Sequence, residues 1–139
     1  MNSINPTREG LARFREELPK NTPVVMLNLL KFREKALYPL GTSFQDCSGR
    51  QAYRRYADTA LEQLSAIGGK AIWMSKAMSS LIAPEGETWD EVLLVRYPSS
   101  EAFLAMLQVP EYLAATIHRE AALEDSRLIA TIEIFTEMA

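Results

Sequence analysis

The only histidine of the chain, His118, lies in the stretch "ATIHREAA" and has alanines one helical turn away on both sides. An imidazole with its ordinary pKa near 6.5 can transfer protons at neutral pH, so His118 is the first candidate for a catalytic acid or base. On a helical wheel it falls in an apolar arc, which predicts that it faces the sheet. The same pattern also suits a buried neutral imidazole in a tightly packed helix, so both interpretations stay open. The flanking alanines are Ala114, Ala115, Ala121 and Ala122.

Two inward-facing tyrosines and one strand asparagine are candidates for binding a ligand beside His118. Tyr53 and Tyr56 lie on the apolar stripe of a predicted helix and would present their hydroxyls toward the sheet. Asn28 is the uncharged polar residue of an otherwise apolar strand, and burying it unpaired would cost about 1 to 3 kcal/mol. A ligand or a protein hydrogen bond must therefore meet Asn28.

Arg96 and Trp73 complete the candidate binding residues. Arg96, near the end of a strand, could neutralise a carboxylate or an enolate. Trp73 could stack on a flat ligand. Each also has a structural interpretation, as an ion-paired arginine and as a core or interface aromatic residue.

The composition favours a single domain over residues 1–139 and argues against several partners. The formal charge of −3, without a block of like charges, predicts neither nucleic acid nor a membrane as a partner. Cys47 cannot form an internal disulfide and no apolar leader is evident, which suggests a cytoplasmic protein. One Cys and one His fall short of the four ligands of a structural zinc site, and no phosphate-binding glycine loop is present. The sequence therefore predicts no metal and no cofactor.

The periodicity of apolar residues and the residues typical of helix ends predict a lead-in helix over residues 1–19 and a ferredoxin-like core over 24–135. Asn5 and Pro6 are predicted to begin the first helix, and "VVMLNLLKF" is a strand. Residues 33–47 lack a period, and loops of this length are often lids or binding loops. Ser48 and Gln51 are spaced as a capping box for the next helix, which ends at the Gly68-Gly69 pair.

The second half of the chain predicts two more strands, a broken helix and a last strand. The strands are "KAIWMSKAMSSLIA" and "EVLLVRY", and the helix is capped by Ser99 or Ser100 and restarts at Pro110. It is predicted to reach about Asp125, where the acidic and serine side chains cap a turn, before a strand from Arg127 to Phe135. The order β-α-β-β-α-β is the α+β ferredoxin-like unit, with an extra N-terminal helix.

Both faces of the first strand are apolar, because Val25, Leu27 and Leu29 alternate with Val24 and Met26. Helices cover one face of such a sheet, and an open apolar face of this kind tends to bury itself against a partner. The sequence therefore predicts a homodimer that forms through the sheet faces.

The segments "VVMLNLLKFRE", "YRRYADTALEQLSAIGGK" and "WDEVLLVRYPSSEAFLAMLQVPEYLAATIHREAALEDSRLIATIEI" resemble domain-of-unknown-function family 1330 (DUF1330), over about residues 24 to 134. This family belongs to the dimeric α+β barrel superfamily. The resemblance implies a ferredoxin-like fold and a homodimeric barrel, and it implies no single activity. Related superfamily members include cofactor-independent monooxygenases, haem-degrading enzymes and simple ligand-binding dimers.

Three functions therefore remain open, beside a purely structural dimer that contains no cavity. The first is a cofactor-independent enzyme acting on a small apolar carbonyl or phenolic compound, with His118 as acid or base. The second is a non-catalytic dimeric module for ligand binding or stress response. Haem degradation is less favoured, because Asn28 matches a strand asparagine of those enzymes, whereas Met106 and Thr116 stand where they carry a tryptophan and the haem-ligating histidine.

Overall fold

The computed structural model describes residues 2–134 and contains one four-stranded antiparallel sheet with helices packed on one of its faces. Within these residues the strand order is β2-β3-β1-β4. This arrangement confirms the ferredoxin-like α+β fold with an extra N-terminal helix. The elements are α1 (Arg8–Glu17), β1 (Val24–Phe32), α2 (Gly49–Ala66), β2 (Lys70–Lys76), β3 (Glu91–Tyr97), α3 (Ser100–Met106), α4 (Pro110–Ala122) and β4 (Leu123–Thr131).

The helix starts follow the local signals with one exception. Ser48 and Gln51 form the predicted capping box of α2, Ser99 caps α3, and Pro110 occupies the first turn of α4. The exception is α1, which the sequence predicted to begin at Asn5 and Pro6. Thr7 is its N-cap instead, because the Thr7 hydroxyl accepts a hydrogen bond from the Gly10 N–H at 2.9 Å.

The alternation along β1 separates a buried face of the sheet from an open one. Val24, Met26 and Leu30 point toward the helices and are at most 3% exposed. Val25 and Leu27 lie on the opposite face and are only half-buried. The open face is therefore apolar at its centre, as predicted from the first strand.

The last strand starts four residues earlier than the sequence predicted. Helix α4 ends at Ala122, and β4 begins directly at Leu123, which is fully buried. The prediction that the helix reaches Asp125 and that a turn follows is therefore wrong. The predicted end at Phe135 lies outside the described residues.

Side-chain hydrogen bonds from the N-terminal segment explain this early start. The Ser126 hydroxyl donates to the Ser3 carbonyl at 2.6 Å, and the Asp125 carboxylate accepts from the Ser3 N–H at 2.9 Å. Desolvation raises the pKa of Asp125, but hydrogen bonds from Ser3, Arg127 and Ser126 together lower it. Pairing with Lys31 and Leu30 of β1 and these bonds to Ser3 together hold Asp125 and Ser126 in a strand.

Strand β2 is shorter than predicted. It ends at Lys76, and residues 77–90 connect it to β3 without regular structure. Met78, Leu81 and Ile82 of this connection are at least 80% exposed. The apolar pattern "AMSSLIA" therefore belongs to a surface connection.

Three backbone segments meet at Gly49, the first residue of α2. The Arg33 N–H donates to the Ala122 carbonyl at 2.8 Å, and the Gly49 N–H donates to the Arg33 carbonyl at 3.0 Å. A Cβ atom at position 49 would lie 2.2 Å from the Arg33 carbonyl oxygen and 2.6 Å from that of Ala122. Only glycine fits this junction, which fixes where residues 33–47 leave the sheet and rejoin α2.

Gly49→Ala is therefore expected to destabilise the protein by about 1 to 3 kcal/mol, because the backbone must shift to admit the methyl group. Gly10→Ala in α1 is the matched control, since a Cβ there meets side-chain atoms and no other backbone, namely the Thr7 hydroxyl oxygen at 3.1 Å and Arg13 Nη2 at 3.8 Å. Chemical denaturation followed by circular dichroism measures both variants. Equal stability of the Gly49→Ala variant and the wild type would show that the junction is not tight.

Candidate acid–base site

His118 packs against residues 33–47 and forms a short hydrogen bond to Tyr38. The His118 Nδ1 atom lies 2.7 Å from the Tyr38 hydroxyl oxygen. The Phe44 ring stands edge-on to the imidazole, with 4.8 Å between the ring centroids. The prediction that His118 faces the sheet is therefore wrong, because the surface it contacts is the long segment after β1.

The helix phase differs from the prediction because an arginine takes an inward position on α4. Tyr112, Ala115 and Ala122 of this helix join the core. Arg119 continues the same line of the helix, and its guanidinium donates to the Ile4 carbonyl of the N-terminal segment. His118 precedes Arg119 by one residue and therefore lies on the neighbouring side of the helix, where it contacts Tyr38 and Phe44.

Arg55 of α2 binds the same tyrosine from the other side. Its Nη1 donates to the Tyr38 hydroxyl oxygen at 3.0 Å, and its Nη2 donates to the Gln45 carbonyl at 3.3 Å. The Tyr38 hydroxyl oxygen thus accepts a hydrogen bond from Arg55, and the Tyr38 O–H donates its own hydrogen bond to the imidazole. In a neutral His118 this places the acceptor lone pair on Nδ1 and the ring proton on Nε2.

The surroundings of His118 favour its neutral form. Burial lowers its pKa from the ordinary value of 6.5, and the positive charge of Arg55 lowers it further. A neutral imidazole at pH 7 can accept a proton at Nδ1 through Tyr38 and can donate from Nε2. The arrangement is therefore suited to proton transfer.

Tyr53 and Tyr56 face inward, as predicted, but they belong to the hydrophobic core. The Tyr56 hydroxyl lies 2.8 Å from that of Tyr112, and the rings of Tyr53 and Tyr56 are 5.3 Å apart. Burial raises the pKa of Tyr53 to about 12, against the opposing charge of Arg119, and raises that of Tyr56 well above 10. Both phenols are neutral at pH 7, and neither forms a hydrogen bond or an aromatic contact with His118, whose ring contacts Tyr38 and Phe44.

Asn28 lies on the helix-facing side of β1, where backbone groups satisfy its amide. Its Nδ2 donates to the Leu93 carbonyl at 3.2 Å and more weakly to the Met26 carbonyl at 3.4 Å. Protein atoms thus meet the hydrogen-bonding need that was predicted for a partner or a ligand. Met106, considered at the sequence level for a haem site, is buried in the core at 2% exposure.

Arg96 and Trp73 lie on the open face of the sheet, away from His118. Arg96 pairs with Val25 in the β-ladder and its side chain is exposed. Trp73 is 60% exposed, pairs with Leu94 and donates from its indole N–H to the Ser75 hydroxyl at 3.1 Å. The structure therefore does not bring the predicted pocket residues together around His118.

The residues that do surround His118 come from a segment that the sequence singled out only for its length. Tyr38 and Phe44 both belong to residues 33–47, whose irregular pattern suggested a binding loop. Arg55 lies on the solvent side of α2, between the inward tyrosines at positions 53 and 56. The length and irregular pattern of residues 33–47 were thus the sequence signal for the site, and the aromatic residues of this segment are the ones that contact His118.

No group of three or more His, Cys, Asp or Glu residues within 2–134 is arranged to hold a metal ion. Among the helices in that part of the chain, none is both long enough and apolar enough to cross a membrane.

A family model described as "Domain of unknown function (DUF1330)" matches residues 42–132. The chain belongs to this family. No curated protein matches the sequence. A DUF1330 assignment establishes the relationship and carries no activity with it.

Solved structures support the same fold for this DUF1330 protein. A protein of unknown function from Rhodopseudomonas palustris is 37% identical, with a TM-score of 0.88 over 98% of this chain and 100% of that one. A dimeric protein of unknown function with a ferredoxin-like fold from Bacteroides fragilis is 16% identical, with a TM-score of 0.51 over 83% and 100%. SnoaB, a cofactor-independent oxygenase from Streptomyces nogalater, is 14% identical, with a TM-score of 0.52 over 85% and 99%. The last two show the likeness of fold alone.

We expect the pKa of His118 to lie below 6.5 and to rise toward it in the Arg55→Gln variant, because the nearby positive charge is removed. Arg15→Gln, on the exposed side of α1, removes the same charge far from the site and should leave the value unchanged. NMR titration of the ring protons is direct, since the sequence has one histidine. A wild-type value at or above 6.5 would contradict the site as described.

Proposed function

We propose that this protein is a homodimer that binds a small, largely apolar carbonyl or phenolic compound and transfers protons on it without a cofactor. The observation that carries the proposal is the 2.7 Å contact between His118 Nδ1 and the Tyr38 hydroxyl, with Arg55 bound to the same oxygen. Tyrosine and histidine joined in this way can pass a proton in either direction. Such chemistry needs no metal or redox group.

The proposed step transfers one proton from the substrate to the protein. No electrons pass to an acceptor outside the substrate. The substrate gives a proton from a carbon beside its carbonyl, or from its phenol, to the Tyr38 oxygen as the Tyr38 proton passes to His118 Nδ1. The bonding pair that the proton leaves behind stays on the substrate as an enolate or phenolate. The guanidinium of Arg55 stabilises the negative charge that develops near the Tyr38 oxygen. Return of the proton to the same or another atom completes an exchange or an isomerisation.

Phe44 supplies an apolar wall for such a substrate. Its ring contacts the imidazole edge-on and stacks at 4.8 Å from the Tyr38 ring, yet it is 41% exposed. A flat apolar molecule can therefore cover Phe44 and gain contact area beside the acid–base pair.

The homodimer is proposed to form through the open face of the sheet. Apolar side chains cross all four strands on this face, and the Bacteroides fragilis relative with the same fold is a dimer. Burying this surface would provide about 25 cal/mol per Å² of apolar area. The central apolar residues of this open face are Val25, Leu27, Leu29, Trp73, Val92, Leu94 and Ile129.

A cytoplasmic location stays a prediction from the sequence.

A non-catalytic ligand-binding dimer is the second candidate. A depression of about 540 Å³ is open to solvent and is lined by Arg55, by other residues of α2 and by its N-cap Ser48. Enzymes of small apolar substrates usually enclose them, and an open depression suits reversible binding. The two functions differ in whether His118 and Tyr38 accelerate a reaction.

Proton exchange distinguishes the two candidates. We expect the wild type to accelerate deuterium uptake from D₂O at the carbon beside the carbonyl of phenylacetone, measured by NMR. His118→Gln and Tyr38→Phe should each lower the rate by about 100-fold or more. Arg15→Gln, an exposed substitution on α1, is the control and should keep the wild-type rate. Binding of phenylacetone with an uptake rate that these two substitutions leave unchanged would favour the non-catalytic function.

The homodimer is tested by placing a carboxylate on the open face. Leu27→Glu would bury an unpaired charge in the interface and should weaken dimerisation by about 100-fold or more. Leu61→Glu, on the surface of α2 where Leu61 is 48% exposed, is the control and should remain dimeric. Light scattering after size-exclusion chromatography gives the mass. A monomeric wild type at micromolar concentration would overturn the proposed interface.

A further inference from the structure

Three arginines of α2 line an open depression next to the acid–base site. The depression has a volume of about 540 Å³, within the range of about 300 to 1,000 Å³ that is usual for small-molecule sites. Its three arginines and one aspartate give a local charge of +2, although the whole chain carries −3. The lining residues are Ser48, Arg50, Gln51, Arg54, Arg55 and Asp58.

The three arginines differ in how their charges are already used. Arg50 stands over the Phe32 ring at 4.6 Å and forms an ion pair with Glu91 at 3.4 Å. Arg55 is engaged with Tyr38. Arg54 is exposed, and it forms no ion pair with any residue of the described part of the chain. The guanidinium of Arg54 is therefore the one with all its donors available to a ligand.

We propose that this depression binds the carboxylate of an aromatic acid whose other end reaches Tyr38 and His118. The proposal rests on the proposed function and names its substrate class. Arg55 is the link, because the same side chain lines the depression and donates to the Tyr38 hydroxyl. A carboxylate held by Arg54 would thus lie on one side of Arg55, with the proton-transferring pair on the other.

The chemistry of the lining suits a carboxylate. A guanidinium binds a carboxylate through two parallel hydrogen bonds, which fixes the orientation of the ligand as well as its charge. Asp58, in the same depression, offsets part of the positive charge of the arginines and so weakens the attraction for any anion. The half-exposed Phe44 ring provides the apolar surface for the aromatic part.

The test compares 4-hydroxybenzoate with its neutral analogue 4-hydroxybenzamide at about pH 7.5, where the carboxylate is ionised. Both ligands are titrated into the protein. Calorimetry measures the affinity, and the NMR signals of the His118 ring protons report whether the ligand reaches the acid–base site. The benzoate should bind about tenfold tighter or more, since a hydrogen bond to a charged group contributes about 1.5 to 3 kcal/mol. Arg54→Gln should abolish this preference, whereas Arg15→Gln should preserve it.

The possible results separate this inference from the proposed function. If both ligands shift the His118 signals with equal affinity, the acid–base site stands and the carboxylate site is overturned. If the benzoate binds in an Arg54-dependent manner without moving the His118 signals, the two sites are not bridged and the inference is overturned in that form. If neither ligand binds, both proposals fail for this class of compound. Preference for the benzoate, lost in Arg54→Gln together with the His118 shift, supports both.

Discussion

The contact at Gly49 determines where the other parts of the candidate site can lie. There the backbone at the end of β1, the first turn of α2 and the last turn of α4 approach too closely for any side chain. Hydrogen bonds from Arg33 to Ala122 and from Gly49 to Arg33 close the contact. Because residues 33–47 begin and end at this one place, their two ends are held together. The remaining entropy cost of ordering the segment is correspondingly reduced.

Further bonds hold this closed segment against α4. The Ala36 N–H donates to the Cys47 carbonyl, and the Leu37 N–H donates to the Ala121 carbonyl, both at 2.9 Å. The next residue, Tyr38, then meets His118, which lies one helical turn before the Ala122 carbonyl at the junction. The short Tyr38–His118 bond is thus a consequence of backbone geometry set at Gly49. The alanines beside His118 allow the segment to approach the helix closely.

The fold could be predicted from the sequence because its signals are local. Ser48 with Gln51, and Pro110, marked helix starts that the structure confirms, and the alternation in β1 gave the two faces of the sheet. The β4 boundary was not predictable in this way. Asp125 and Ser126 are in a strand because they pair with β1 and bond to Ser3, which are both distant in the sequence. A local reading of "LEDSR" therefore favoured a turn.

The candidate site was only partly predictable, for a related reason. His118 was identified from its residue type alone. The side of the helix on which it lies could not be predicted, because the neighbouring Arg119 points inward. That position is possible for a charged side chain because the Ile4 carbonyl accepts its hydrogen bond. Tyr38 lies 80 positions from His118 and follows no period. Tyr53 and Tyr56 were correctly predicted to face inward, and burial is what removes them from proton chemistry. For these two phenols, the inward position that the sequence predicted correctly is the reason why they cannot exchange protons at neutral pH.

Across the whole described structure, the buried polar aromatic side chains and the groups proposed to transfer protons lie in different places. The core on the helix side of the sheet holds neutral phenols, whose raised pKa values make ionisation costly. Arg55 and His118 lie on the outer surface of the helix layer, where water screens the guanidinium and a neutral imidazole can exchange protons. The apolar open face is on the other side of the sheet. In the proposed homodimer each subunit would thus carry a complete site, because the surface that associates and the surface that reacts share no residue.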